Sequence, residues 1–299
     1  MSSLLTPTRR ELLKGTLALA ATAALPRVAR VEAAAPPRMP SLYISHGSPL
    51  LAADPVRGAQ LRALGASLPK PSAVLALTPH YRMRHFELGA IGVGRAGYTF
   101  PAALAHRLPP NLTHATPSNN ALAARVSELL VSHAPVHSTR SYFDHTTWMP
   151  LFHLLPNADV PVLELAHPYI PDAELLALGK QLAPLRDEGV LVLSSGGMTH
   201  NLAALDLNAP ANTPAPHWAL EFEAWLMEAV TRSDIDALLD YRARAPAVEL
   251  AHPDDGDHYN VMLVALGAAL ADRTQLEQVS FPGAGYEGGG MSTRSLVFG

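Results

Sequence analysis

The chain has no cysteine, which excludes disulfides and thiolate metal ligands and leaves imidazole and carboxylate as its available metal-binding chemistry. It has no excess of basic residues, with 22 Lys and Arg against 26 Asp and Glu and no basic cluster, which argues against nucleic acid or an anionic membrane surface as partner. Past residue 35 no apolar run approaches the length of a bilayer span, so the sequence predicts no stable membrane anchor. Internal repeats are missing too, and low-complexity sequence is confined to the first 35 residues.

Those first residues are of a different kind from the rest. Thr8-Arg9-Arg10-Glu11-Leu12-Leu13-Lys14 precedes a mildly apolar stretch, Gly15 to Leu25, and then alanine-rich sequence. Paired arginines ahead of an apolar run too short to span a bilayer form the twin-arginine export pattern, with the small residues of Val31-Glu-Ala-Ala-Ala35 as the cleavage region. The expectation is a precursor handed to the twin-arginine export machinery and a mature, periplasmic protein. The leader takes five of the 22 basic residues and two of the 26 acidic ones, leaving 17 against 24. The remaining 264 of 299 residues suit one large α/β domain, residues 36–299.

Within that domain, short strand-like runs alternate with amphipathic segments, which predicts an α/β fold, a central sheet with helices on its faces. Ser118-Asn-Asn offers caps ahead of the stripe Leu122, Val126, Leu129 and Leu130, and Asp172 offers one ahead of Leu175, Leu178, Leu182 and Leu185. Pro161 to Leu165 reads as a strand, His217 to Thr231 and Ile235 to Arg244 as helices, and Ser292 to Phe298 as a closing strand.

Three apolar runs end in histidines. Ser41-Leu-Tyr-Ile-Ser45 leads to His46-Gly-Ser-Pro49, Ala73-Val-Leu-Ala-Leu-Thr78 to Pro79-His80-Tyr81, and Val190-Leu-Val-Leu193 to Ser-Ser-Gly-Gly-Met-Thr-His200-Asn201. Ligands gather outside the carboxyl ends of strands in open α/β sheets, so these rings should converge. A fourth, His258, opens the apolar run Tyr259 to Leu270 and belongs at a helix N-terminus. Convergent imidazoles in a cysteine-free chain point to a metal site. The plainer alternative is a set of turn histidines bonded to backbone, yet Gly47 permits close approach, Pro49 stiffens its turn, and Gly196-Gly197 offers a flexible turn to aim His200. His145 lies in Tyr142-Phe-Asp-His-Thr-Thr-Trp148, where Asp144 or a backbone carbonyl can set its tautomer and Trp148 can wall a pocket. Around His258 stand Asp254, Asp255 and Asp257, and either Asp257 or Asp254 could replace that histidine as a ligand in a two-histidine, one-carboxylate site. The histidines at 85, 106, 114, 133, 137, 153, 167 and 217 read as surface or structural.

Taken in order, His46-Gly-Ser-Pro49, the strand before His80, Phe143-Asp-His145 with Trp148, Thr199-His200-Asn201-Leu202 and Asp257-His258-Tyr259 with Leu263-Val-Ala-Leu-Gly267 resemble the DODA-type extradiol ring-cleavage dioxygenases of the class III, LigB-like superfamily. Tyr98-Thr-Phe100-Pro101 and Met291 to Gly299 are similar to further family elements, so the resemblance covers nearly all of residues 40–299. Where the family has Ala-His-Trp, this chain has Pro79-His80-Tyr81.

The resemblance implies a single LigB-like domain with a central mixed sheet, and an oxidoreductase acting on a catechol-type aromatic with O2, in the manner of a DOPA 4,5-dioxygenase. It implies Fe(II) for activity, with Zn(II) able to take its place. Carried over by position, His46, His80 and His258 hold the metal, and His200 is acid/base and a candidate fourth ligand. His145 lines the pocket as a second catalytic candidate, and Tyr81, Phe100 and Trp148 form the pocket's aromatic wall. Two other classes use similar ligands: a periplasmic zinc-dependent hydrolase and a metal-binding protein without turnover.

Overall fold

The structure, a computed structural model, describes residues 37–299 apart from 91, 93, 94, 97–105, 109–111, 113, 211 and 212. The predicted leader, residues 1–35, and the pocket candidate Phe100 lie outside the described residues.

Eight strands form one sheet: β1 (Ser41–Ser45), β2 (Ala73–Leu77), β3 (Glu87–Gly89), β4 (Val136–His137), β5 (Val162–Leu165), β6 (Val190–Gly196), β7 (Val279–Ser280) and β8 (Leu296–Phe298). Their order is β7-β8-β1-β6-β2-β5-β3-β4. The central four, β1, β6, β2 and β5, are parallel, while β8 pairs antiparallel with β1 and β3 antiparallel with β5, so the sheet is mixed. Every residue of β1, β2 and β6 is buried, as continuous apolar strands covered on both faces must be.

The two-residue alternation of the strands divides the core. Leu42, Ile44, Val74, Ala76, Leu191 and Leu193 pack on one side with Leu61 of α1 (Pro55–Ser67) and Trp148, Leu151 and Leu154 of α3 (His145–Leu154). Tyr43, Leu75, Leu77 and Val192 pack on the other with α2 (Asn120–Leu129), α4 (Asp172–Leu182), α5 (His217–Thr231) and α6 (Asp257–Leu270). Helices therefore cover both faces of the mixed sheet, the expected α/β architecture. Among the described residues no helix is long and apolar enough to cross a membrane.

Helix α6 is held close. A Cβ on Gly179 of α4 would overlap the Val264 carbonyl, and one on Gly267 the Leu176 carbonyl, so the two helix backbones touch. The first turn of α6 docks on the sheet: the His258 carbonyl accepts from the Tyr43 hydroxyl at 2.7 Å and from the Gly197 amide at 3.1 Å. Here the structure corrects one expectation. Gly196 is the last residue of β6, not part of a flexible turn, and glycine is needed because a Cβ would overlap that same His258 carbonyl.

Other local expectations also change. Asp172 occupies the first turn of α4 behind Pro171, and its carboxylate accepts from Asn260 of α6 at 2.9 Å instead of capping. Asn119 precedes α2 but makes no side-chain cap, because its amide bonds the Ala90 carbonyl and the Gly92 amide, both at 2.9 Å. The segment Ile235 to Arg244 breaks at Asp240, whose backbone leaves helical geometry, into Ile235–Leu239 and Tyr241–Arg244. The closing strand is likewise split into Met291–Ser292 and Leu296–Phe298, because the residues between turn their polar groups to Glu223 and Ser45.

Candidate metal centre

The parallel register delivers the histidines to one end of the sheet. β1 and β6 align Ser45 with Gly196, and the next amide, that of His46, donates to the Gly196 carbonyl at 3.0 Å. His80 leaves β2 through Thr78-Pro79, with its amide 3.3 Å from the Thr78 hydroxyl oxygen. The turn carrying His200 is pinned by its own amide to the Ala251 carbonyl and by the Asn201 side chain to the Leu250 carbonyl, both at 2.8 Å. His258 sits in the first turn of α6 and His145 in the first turn of α3.

One ring nitrogen from each of His46, His80 and His258 lies within 4.8 Å of the other two. Their ring centroids are 5.2 to 5.5 Å apart and the planes are inclined by 62 to 73°, so the rings face a common point edge-on instead of stacking. His145 stands 4.8 Å from His80, and His200 stacks on His258 at 3.4 Å with planes 7° apart. His46, His145, His200 and His258 are buried, while the His80 side chain keeps 32% of its surface exposed.

Hydrogen-bond partners determine which nitrogen of each ring carries the proton. Asp257 accepts from His258 Nδ1 at 2.6 Å, and because an ionised carboxylate can only accept, Nδ1 is protonated and Nε2 holds the lone pair. The Ser195 hydroxyl is committed as donor to the Thr146 carbonyl at 2.5 Å, so at 3.1 Å it accepts from His46 Nδ1. Asp144 faces His80 Nδ1 at 3.4 Å, and Asp254 faces His200 Nδ1 at 3.3 Å. In all four rings the δ nitrogen is directed to an acceptor and the ε nitrogen is left as the base, the arrangement that orients imidazole ligands in metal sites. His258 Nε2 is buried and has no hydrogen-bond partner among the described residues, an expensive situation for a polar atom unless something binds there. Three imidazoles around one point, one with an orphaned lone pair, fit a divalent metal ion.

Electrostatics favour the neutral rings. Burial, then the neighbouring histidines, holds His46 and His258 well below the usual imidazole range, and burial takes His145 to about 4. Burial would raise the carboxylates of Asp144 and Asp254, but hydrogen bonds and neighbouring histidines, those to His80 and His200 first among them, together outweigh it and keep both below the ordinary range.

A second grouping, His200, Asp254 and His258, also brings donor atoms within 4.8 Å, as does the triplet His80, Asp144 and His145. In each the carboxylate is engaged by a histidine Nδ1, which suits an orienting role. Asp257 is similarly occupied by His258 and by Arg82, 3.4 Å away.

Two of the aromatic candidates lie among the described residues. The Tyr81 hydroxyl donates to Glu87 at 2.6 Å and its ring lies 3.6 Å beneath the Arg140 guanidinium, which pairs with buried Glu164. Trp148 is fully buried within the α1 and α3 side of the core. Ser195, the acceptor for His46, had no signal in the sequence beyond its place at the end of an apolar run. His114, His153 and His167, expected to be surface or structural, are buried.

Three buried histidines outside the cluster make acid stability testable. Burial pushes His114, His167 and His252 down to about 4 from 6.5, with Arg82 adding to the effect at His167 and the Met198 carbonyl partly offsetting it at His252. The unfolded chain protonates these groups near 6.5 and the folded one near 4. Stability is therefore complete above pH 6.5 and is lost as pH falls toward 4, on the order of a few kcal/mol per group. The urea midpoint of the metal-free protein should be clearly lower at pH 5 than at pH 7.5. Equal midpoints would contradict the burial of neutral imidazoles.

A family model described as the catalytic LigB subunit of aromatic ring-opening dioxygenase matches residues 41–297. The 4,5-DOPA dioxygenase extradiol of Beta vulgaris is 29% identical over 269 residues, covering 86% of this chain and 96% of that protein. The protein of the same name from Escherichia coli (strain K12) is 30% identical over 274 residues, covering 88% and 95%. Among solved structures, the uncharacterized protein JW3007 from Escherichia coli K12 superposes with a TM-score of 0.71 at 28% identity, over 88% of this chain and all of that one.

Proposed function

Because this chain belongs to the family of the catalytic LigB subunit of aromatic ring-opening dioxygenases, we propose that it is an extradiol dioxygenase that opens the ring of a catechol-type substrate beside its two hydroxyls, inserting both atoms of O2. The observation that carries this reading is the cluster of imidazoles with their δ nitrogens directed to Ser195, Asp144, Asp254 and Asp257 and their ε nitrogens left as bases. His46, His80 and His258 are the proposed ligands of Fe(II), which Zn(II) can replace without supporting turnover. Bound iron supplies the attachment for the vicinal oxygens and the electron exchange with O2.

This chain's own residues handle protons and orientation. A catechol must lose a phenolic proton, and His200 is suited to take it: Asp254 holds its Nδ1–H, so Nε2 is the basic atom. Once protonated, the ring is stabilised by the same carboxylate. His145, neutral at pH 7, faces Asp144 across 3.6 Å and lines the site beside His80 as a polar contact for substrate. Tyr81, fixed by its bond to Glu87, and Trp148, fixed by burial in the core, are the proposed aromatic wall of the pocket.

The test is anaerobic reconstitution with Fe(II), followed by O2 uptake and product analysis over a panel of catechols that includes DOPA. One O2 consumed per ring opened is expected, with none for a resorcinol or a monophenol. Anaerobic turnover of an ester or amide by the Zn(II) form, without O2 uptake by the Fe(II) form, would instead make the protein a hydrolase.

We further propose that the chain is made as a precursor, exported by the twin-arginine route to the periplasm with loss of about its first 35 residues. Replacing Arg9 and Arg10 with lysine should leave the uncleaved protein in the cytoplasm. Normal periplasmic accumulation of that variant would remove the case for this route.

A further inference from the structure

We propose that Arg57 and Glu287 are positioning residues for the metal-ligand turn His46–Ser48, a largely buried ion pair whose task is to hold the His46 main chain in its ligating geometry. The inference rests on the assignment of His46 as a ligand.

His46 is restrained at two places already described, its ring by Ser195 and its amide by the Gly196 carbonyl. The chain beyond it has left the sheet, and its path is set by two charged side chains. Arg57, from the first turns of α1, donates through Nη2 to the Ser45 carbonyl at 2.8 Å and through Nη1 to Glu287 Oε2 at 2.9 Å. Glu287 comes from the other end of the chain, in a hairpin that pairs Tyr286–Glu287 with Met291–Ser292. Its Oε2 also accepts from the Ser48 amide at 2.8 Å, and its Oε1 accepts from the Ser48 hydroxyl. The pair thus grips Ser45 and Ser48, the residues on either side of His46-Gly47. Gly47 has φ +66°, and a Cβ there would overlap both Arg57 Nη1 and Glu287 Oε2, so the turn lies directly on the pair.

Burial makes this arrangement informative. The Arg57 and Glu287 side chains are only 9% and 16% exposed, and taking two charges out of water is an inefficient way to stabilise a fold compared with apolar packing. What the pair adds is directional: a planar guanidinium and a bidentate carboxylate, bonded to each other, define the turn through three bonds, as outer partners of metal ligands do.

Binding of Zn(II) to the metal-free protein, measured by competition with a chromophoric chelator, tests this together with the visible absorption of the Co(II) form. Glu287→Ala is expected to weaken Zn(II) binding about 10- to 100-fold and to alter the Co(II) spectrum. Glu287→Gln, which keeps an oxygen for Ser48, should recover part of the loss. Arg57→Lys keeps the charge but replaces the two-nitrogen fork that reaches Ser45 and Glu287 with a single shorter-reaching nitrogen, and should also weaken binding, which covers the case of Glu287→Ala failing to fold. Wild-type affinity and an unchanged Co(II) spectrum in Glu287→Gln and Arg57→Lys, even with lowered melting temperatures, would overturn the proposal. His46→Ala must lose the metal in the same assay. If it does not, the ligand assignment is at fault and the proposal falls with it, whereas loss in His46→Ala with normal binding in the pair variants overturns the pair alone.

Discussion

Replacing His258 with alanine is expected to abolish metal binding and turnover while leaving the fold intact. His258 is buried and its Nε2 has no hydrogen-bond partner among the described residues, so in the metal-free protein that nitrogen is an unsatisfied buried atom. Removing the imidazole forfeits the Asp257 contact and the stack on His200 but relieves that orphan, and the docking of α6 depends on the His258 carbonyl, which alanine retains. The Zn(II) dissociation constant should rise by more than about 100-fold, the upper range for losing even an outer partner of a ligand. Ring opening by the Fe(II) form should fall to background. Metal titration followed by a urea melt of the same sample separates the two effects. If Asp257→Ala empties the site and His258→Ala does not, the site is the two-histidine, one-carboxylate alternative.

His200→Ala is expected to separate proton transfer from metal binding. The ring's Nδ1 is held by Asp254, and its amide and its neighbour Asn201 are bonded to the backbone of the helix at 248–251, so the turn should persist without the imidazole. Loss of a general base should lower ring opening by about 10²- to 10⁴-fold while most of the bound iron remains. Iron content by metal analysis and single-turnover rates on the same preparation provide both readings. Loss of iron in step with activity would make His200 a fourth ligand. Full activity across the pH range would move the proton-transfer role to His145.

Much of this was legible in the chain because it rests on local pattern. The strands Ser41–Ser45, Ala73–Leu77 and Val190–Gly196 announce themselves as apolar runs closed by small or turn-forming residues, and the histidines at or just after their ends follow from where such strands finish. The helix Asp257–Leu270 is as plain, since its apolar run begins at the histidine. Local pattern also misleads. Asp172 and Asn119 have the chemistry of helix caps, yet each is recruited by a distant partner that packing brings closer than the helix start does. Gly196 looks like a hinge in sequence, but in the fold it is the point where a helix carbonyl rests against a strand.

Composition and order determined that any metal here is held by imidazole and carboxylate, that the domain is an α/β sheet, and which histidines stand at its strand ends, because each of these depends on residue type and on neighbours in sequence. Tertiary structure alone decided that β6 lies between β1 and β2, and so which rings meet. It also chose the Nδ1 partners of His46, His80 and His200, with Ser195 reaching His46 across 149 residues, and it brought Glu287 to Arg57 across 230. The tautomer and aim of an imidazole are set by the acceptor within about 3.5 Å of its Nδ1. For His258 that acceptor is the preceding residue, Asp257, but for His46, His80 and His200 it is supplied by strand register and helix docking, which no local run of residues encodes.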